Sequence, residues 1–233
     1  MDHLLEARRH LADSLKIDPK YARAYSLLAS THRVAWLNRI NEEYLSPAAL
    51  DRSITLARTA IELDPNLPEA YAESGYNIIR KRDFDAATFA AERAIALNPN
   101  FADYRVAQVF YSVGQPTKAI EIAKMQMRLD PFHPHFAPLI AGIAYYLLKE
   151  YSEAQHWLRE ATGRAPNHQY GHAFFAATYA QLGRIEDARA EVAEVLRVNP
   201  KYTIGTQKHV SIFKRAEDSD HLVDGLRKAG LPE

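Results

Sequence analysis

Apolar residues recur along this chain in helical order, in segments closed by proline. In "AIELDPNLPEAYAESGY", residues 60–76, an alanine-rich apolar run ends at Asp64-Pro65 and a second helical pattern starts at Pro68. Pro65 lacks an N–H and disfavours helical geometry in the residue before it, so it stops a helix. Pro68 is tolerated in a first turn, where its N–H would be unpaired anyway. The stretch therefore predicts two helices joined by a very short turn. Helix-ending prolines of the same kind stand at Pro19, Pro65, Pro99, Pro131, Pro166 and Pro200, with spacings of 46, 34, 32, 35 and 34 residues. Their contexts are "KIDPKY", "ELDPNL", "ALNPNF", "RLDPFH", "GRAPNH" and "RVNPKY". Twelve residues before each stand Ala7, Ser53, Ala87, Ala119, Ala154 and Ala188, and five before stand Ser14, Ala60, Ala94, Gln126, Ala161 and Val195.

A period of 34 residues, with small residues at fixed helical offsets, resembles the tetratricopeptide (TPR) repeat. The resemblance covers roughly residues 3–200. It implies an all-α fold, a right-handed superhelical solenoid of antiparallel helix pairs. Small residues in the second helix of each pair let the two helices pack closely, and a large residue there would overpack the contact by about 1–3 kcal/mol. The family's large–large–small–large positions of the first helix fall on Tyr71, Ser74, Gly75 and Ile78 in one repeat, and on His172, Phe175, Ala176 and Tyr179 in another. Gly114 and Gly183 meet its turn glycine. Lys149 takes that place in "LLKEYSEA", and Gln126 replaces a small residue.

The predicted organisation is a solenoid over residues 1–200, comprising a half-repeat at 3–19 and repeats ending near 65, 99, 131, 166 and 200, followed by a C-terminal cap at 201–233. The first spacing exceeds one repeat by 12 residues, and the surplus lies near 35–47, around "AWLNRINEEYLSP". An extended first helix carrying Trp36 and Leu37 is expected there. These two side chains either pack on the neighbouring repeat or form a dimer or interdomain contact, since aromatic residues are enriched in interface cores. The half-repeat should expose an apolar face, because solenoid ends need a cap. That raises the expectation of a longer parent chain, or of a partner over this end. In the tail, Asp218 or Ser219 can cap a final helix that Gly230 stops. Its stripe of Leu222, Leu226 and Ala229 suits a helix lying over the last repeat.

Composition narrows the function. Formal net charge is zero, which gives no electrostatic reason to expect nucleic acid or an anionic membrane as partner. There is no cysteine, so disulfides and thiolate metal sites are excluded. The N-terminus lacks the apolar core of a signal peptide, no apolar run is long enough to span a bilayer, and no glycine-rich phosphate loop occurs. A cytoplasmic location is expected. Four histidines are candidate metal ligands: His133 and His135 in "DPFHPHF", and His168 and His172 one helical turn apart in "NHQYGH". No carboxylate accompanies them at ligand spacing, and no nucleophile–base motif rises above background. The chain is therefore expected to be neither an enzyme nor a cofactor protein.

Binding is the better expectation. In the TPR family the concave face is lined by first helices, which here implicates Tyr76, Arg80, Tyr104, Gln108, Tyr111, Phe136, Leu139, Ile143, Tyr146 and Tyr170. These form an aromatic row with few charges. The lysines, arginines and asparagines with which chaperone-binding TPRs hold a C-terminal carboxylate are largely missing. Tyrosine suits partner contacts with a polar tip, yet the same rings could equally fill the interior.

The long first helix with "AWLNRINEEYL", the "A.RAI.LNP" phrasing and the terminal "HLVDGLRKAGLPE" also resemble the C-terminal TPR region of bacterial class III adenylate/guanylate cyclases. That resemblance implies a regulatory interaction module attached to an effector domain, with a protein or peptide partner and the possibility of a homodimer. A stand-alone scaffold or adaptor is the alternative, and a histidine-metal enzyme a third.

Overall fold

A computed structural model describes residues 2–38 and 46–233. Residues 39–45, where most of the surplus of the first repeat falls, lie outside the described residues. All thirteen regular elements longer than one turn among the described residues are α-helices. They group into two compact units, residues 1–101 and residues 102–233.

The first unit opens with α1 (Asp2–Ile17), followed by the pairs α2 (Ala22–Leu37) with α3 (Pro47–Leu63) and α4 (Pro68–Ile78) with α5 (Phe84–Leu97). The second holds the pairs α6 (Tyr104–Ser112) with α7 (Pro116–Leu129), α8 (Phe136–Leu147) with α9 (Tyr151–Arg164), and α10 (Gln169–Gln181) with α11 (Ile185–Val198). It ends in α12 (Ile204–Val210) and α13 (Ala216–Lys228). We call α2, α4, α6, α8 and α10 the first helices of their pairs.

The joints between pairs explain the recurring Asp-Pro and Asn-Pro. At each joint the residue before proline opens a four-residue turn, in which its C=O accepts from the N–H three residues on, as in Leu67 to Asp64 at 3.3 Å and His133 to Asp130 at 3.0 Å. At five of the six, its side chain also accepts the N–H two residues on: Lys20 to Asp18, Asn66 to Asp64, Asn100 to Asn98, Phe132 to Asp130 and Lys201 to Asn199, at 2.9–3.2 Å. A short carboxylate or amide thus occupies a donor that the end of the helix frees, while proline prevents the helix from continuing. Ala165 makes the turn without the side-chain bond.

Small residues set the distance between paired helices. Ser53, Ala87, Ala119, Ala154 and Ala188 are all fully buried. A Cβ on Gly142 of α8 would come within 2.6 Å of Leu158 Cγ on α9. The tight turns inside the pairs need positive φ. Gly114 and Gly183 supply it at +82° and +74°, Lys149 adopts +63° where the family has glycine, and Arg82 adopts +61° at the corresponding place in the second pair. In α1 the equivalent small positions, Ala7 and Ser14, are only half-buried. The helix is held to α2 by Arg8, which donates to Thr31 Oγ1 at 3.1 Å and to its C=O at 2.8 Å.

The first helix of the long repeat runs 16 residues and carries Trp36 and Leu37 at its end, as expected. Trp36 is half-buried and packs with Leu4 on Ala35 and Ala49, inside its own unit, whereas Leu37 is exposed. At the C-terminus, α13 begins at Ala216, earlier than Asp218 or Ser219. Asp218 lies inside its first turn, where it accepts from Arg215 Nε and Nη2 at 2.8 and 2.7 Å.

Candidate functional site

In the first unit, the face of α2 and α4 is built around ions removed from water. Arg33 and Glu73 are 5% and 0% exposed and meet at 2.7 Å. Asn77 donates to Glu73 Oε1 at 3.0 Å and to Ser53 Oγ at 2.9 Å, and Ser53 in turn donates to the C=O of Ala29 at 2.6 Å. The network therefore ties α2, α3 and α4 together. Tyr76 is buried between two guanidiniums, Arg33 at 4.8 Å and Arg80 at 4.0 Å from its ring centre. These cation–π contacts take up the faces of the ring, so Tyr76 serves packing here, and Arg80 reaches only half-way to solvent.

In the second unit the expected row of first-helix residues divides in two. Towards the C-terminal ends of α6, α8 and α10 the row is covered by the chain itself. Phe213 sets its ring 6.1 Å from Tyr111, and the Lys214 N–H donates to the C=O of Ser112 at 2.8 Å, satisfying a carbonyl at the end of α6. Further along, Tyr146 donates through its hydroxyl to the C=O of His221 at 2.9 Å, and its ring stacks on the His221 ring at 4.7 Å. Tyr151 Oη lies 3.1 Å from His221 Nε2. Gly225 sits where a Cβ would come within 2.8 Å of both Ala177 Cβ and Tyr146 Oη. Gln181 donates to Asp224 at 3.1 Å and accepts from Lys228 at 3.2 Å. Burial pushes the Tyr146 hydroxyl well above the ordinary phenol range.

Five of the expected groove residues, Gln108, Tyr111, Leu139, Ile143 and Tyr146, are buried rather than presented to a partner, Tyr111 and Tyr146 beneath this segment. The final helix also does more than cap the last repeat. It packs along α10 and reaches Tyr146 of α8, and the extended lead into it reaches Ser112 of α6.

Towards the N-terminal ends of the same three helices the row remains open. Tyr104 stacks on Phe136 with ring centres 4.4 Å apart and 12° between planes. His135 follows at 4.1 Å from Phe136, and His168 at 5.0 Å from His135. Tyr170 is 37% exposed, and Phe132, in the turn before α8, is 92% exposed. Tyr104, Phe136, His135 and His168 thus form a run of ring contacts across three successive pairs, each ring at least partly accessible, with Tyr170 exposed in the first turn of α10.

The four histidines are not gathered around one point. His135 and His168 are adjacent, but His133 Nε2 lies 3.7 Å from Glu160 and 3.5 Å from Arg164 Nη2, and His172 is turned away from the pair. Among the described residues no group of three or more His, Asp or Glu side chains is placed to hold a metal ion. His172 Nδ1 lies 2.6 Å from Glu191 of α11 and Nε2 3.0 Å from the C=O of Pro166. Both partners only accept, so the ring carries a proton on each nitrogen, and the Glu191 carboxylate raises its pKa. His168 does the opposite: its Nδ1 accepts the N–H of Gly171 at 3.2 Å as the N-cap of α10. Burial, with help from His135 and His172, lowers its pKa to about 4.

A pH dependence follows, with its sign fixed. The folded value for His168 lies below the unfolded one, so its neutral form stabilises the fold fully above pH 6.5, and the contribution is lost as pH falls from 6.5 to about 4. The loss amounts to at most about 3 kcal/mol. His172, with a raised value, contributes fully below pH 6.5 and loses its contribution as pH rises through that raised value. His168→Asn keeps a capping side chain and removes the titration. Urea midpoints of that variant should fall less steeply than those of the natural chain between pH 6.5 and pH 4.5.

No protein-family model matches the chain, and no curated protein matches it. Crystal structures of helical-repeat proteins do. A chain of the APC/C hetero-tetramer Cut9–Hcn1 matches with a TM-score of 0.68 at 19% identity, over 97% of this chain and 40% of that one. A thermophilic TPR protein of Thermus thermophilus, TTC0263, matches with a TM-score of 0.56 at 19% identity, over 81% and 96%. YrrB, described as a TPR protein with an unusual peptide-binding site, matches with a TM-score of 0.51 at 20% identity, over 82% and 93%. The fold is that of the TPR proteins. In TPR terms, the open ring row and the covered row are two halves of one face of first helices. The repeat phase locates that face but carries no sign of what lies on it. A signal was present in "SIFKRAEDSDHLVDGL", where an aromatic residue precedes an amphipathic helix.

Proposed function

We propose that the chain is a non-catalytic protein–protein interaction module of the cytoplasm, which binds a peptide or protein partner through the open rings of Tyr104, His135, Phe136, His168 and Tyr170. The observation that carries this reading is the run of partly accessible rings across three consecutive helix pairs. Surface aromatics normally scatter singly, and a contiguous set marks an interaction site. The rings are stiff and amphipathic, so ordering them on binding sacrifices little conformational freedom. Net charge is zero, so the partner should be held by apolar and hydrogen-bonding contacts more than by salt-sensitive ones.

A photo-crosslinking amino acid placed at Tyr170 in living cells should give a discrete adduct with one partner, whereas the same group at exposed Arg189 on α11 should not. Tyr170→Ala should weaken capture of that partner at least about tenfold, the scale of an interface hot spot. Thermal stability should stay within a degree or two, because the ring is at the surface. No adduct at Tyr170, or equal labelling from Arg189, would remove the reading. A finer proposal makes this module the regulatory C-terminal part of a bacterial cyclase-type protein. It is supported by the sequence resemblance of "AWLNRINEEYL" and "HLVDGLRKAGLPE", and it would be tested by the domain to which the module is joined in its own cells.

A further inference from the structure

The three helix pairs of the second unit interlock through their own side chains. Gly142 fits against Leu158, Gly171 lies against Thr162, and the alanines of the second helices are sealed. Residues 211–231 form an additional layer on these pairs. The end of that layer is tied to α12, where the Ile204 N–H donates to the C=O of Pro232 at 2.8 Å. The layer has the anatomy of a bound partner. Leu222, Val223 and Leu226 make an apolar centre with no more than slight exposure. Around it runs a polar rim of Gln181–Asp224, Lys228–Gln181 and Tyr151–His221 contacts, whose members can exchange to water. An extended lead-in adds one aromatic anchor, Phe213, and one main-chain hydrogen bond, Lys214 to Ser112.

We propose that the face made by the C-terminal ends of α6, α8 and α10 is a binding site for an amphipathic helix of another protein, with residues 211–231 as its built-in competitor. The occupant defines the partner's chemistry. The helix carries glycine where Gly225 meets Ala177, since even a Cβ there would come within 2.8 Å of Ala177 Cβ and Tyr146 Oη. It carries aliphatic residues at the positions of Leu222, Val223 and Leu226, and an aromatic residue ahead of the helix in the place of Phe213. A partner of this kind must displace the chain's own segment, so its apparent affinity is reduced by the fraction of molecules in which the face is open.

This inference rests on the chain being an interaction module, but its test needs no cellular partner. The probe is a fluorescent synthetic peptide of residues 211–233, added to the full-length protein. In Gly225→Leu the chain's own helix is pushed off while the receptor face keeps its natural residues. The peptide, which retains glycine, should bind that variant at least about tenfold more tightly than it binds the natural protein. Trypsin should then cut the released segment at Lys214 and Arg215. Because the chain has no cysteine, Gln181→Cys with Asp224→Cys can be bridged by a bifunctional methanethiosulfonate, whose spacer takes the place of the two lost side chains and locks the segment down. Added to the natural chain, the bridged lock should abolish peptide binding, and reductant, which cleaves the bridge, should restore it. Two results overturn the proposal. One is a cooperative loss of helix in Gly225→Leu, which makes the segment part of the core. The other is a folded, trypsin-sensitive variant that fails to bind the peptide. A missing adduct at Tyr170 would leave peptide binding untouched, so the two readings fail separately.

Discussion

Replacing Glu73 by alanine should lower the unfolding free energy by about 3–5 kcal/mol, the range found when one member of a buried ion pair is removed. Arg33 is 5% exposed and would lose the carboxylate that it meets at 2.7 Å between α2 and α4. Two of its other partners, the Ser30 hydroxyl at 2.9 Å and the face of Tyr76, carry no negative charge. Asn77 would also lose its carboxylate acceptor. The pair as a whole is expected to contribute little, because burying two ions costs roughly what their attraction returns. Arg33→Met with Glu73→Leu should therefore fall within about 1 kcal/mol of the natural chain, or above it. Urea unfolding of the natural chain, Glu73→Ala and the double variant measures both statements. A loss below about 1 kcal/mol for Glu73→Ala would mean that water reaches Arg33 in the variant, and that the pair is not sealed as its exposure implies.

The sequence carried the frame of the fold for a physical reason. Proline and small residues act through local sterics, so a proline at the end of each pair and an alanine or serine twelve residues before it are informative wherever they stand. Lys149 and Arg82 show the limit of that argument. Both occupy the left-handed turn that glycine favours, at +63° and +61°, and packing of the adjoining helices holds them there at a local cost of about 1–2 kcal/mol. The candidate site was legible in part. First-helix register picked out Tyr104, Phe136 and Tyr170, but His135 and His168, which entered only as candidate metal ligands, were not read as neighbours of Phe136. Register could not tell that Tyr111 and Tyr146 lie under Phe213 and His221, because those contacts span 75 or more residues and no period links them. Register did set His172 apart, at a packing position where it is buried, but could not foresee its ion pair. That depends on Glu191, which lies on the next helix of the pair and not in the motif.

Tyr146→Ala is expected to destabilise the protein by about 3–5 kcal/mol, the range for truncating a buried aromatic ring. The ring is 0% exposed and makes an edge contact with Phe174 at 5.6 Å and a stack with His221 at 4.7 Å. Its removal opens a cavity between α8, α10 and α13 that none of these helices can close without losing its own register. Tyr146→Phe keeps the ring and loses only the bond to the His221 carbonyl, so it should cost about 1 kcal/mol. The contrast between the two variants separates packing from hydrogen bonding, and urea midpoints in the full chain are sufficient to measure it. The result also decides how this residue is used. An exposed binding tyrosine would tolerate alanine with an unchanged melting temperature and a weaker partner. The buried ring should instead lower the melting temperature and loosen α13, so that trypsin cuts faster at Lys214 and Arg215. Because the alanine variant damages the receptor face itself, it should not gain affinity for the 211–233 peptide, whereas Gly225→Leu should.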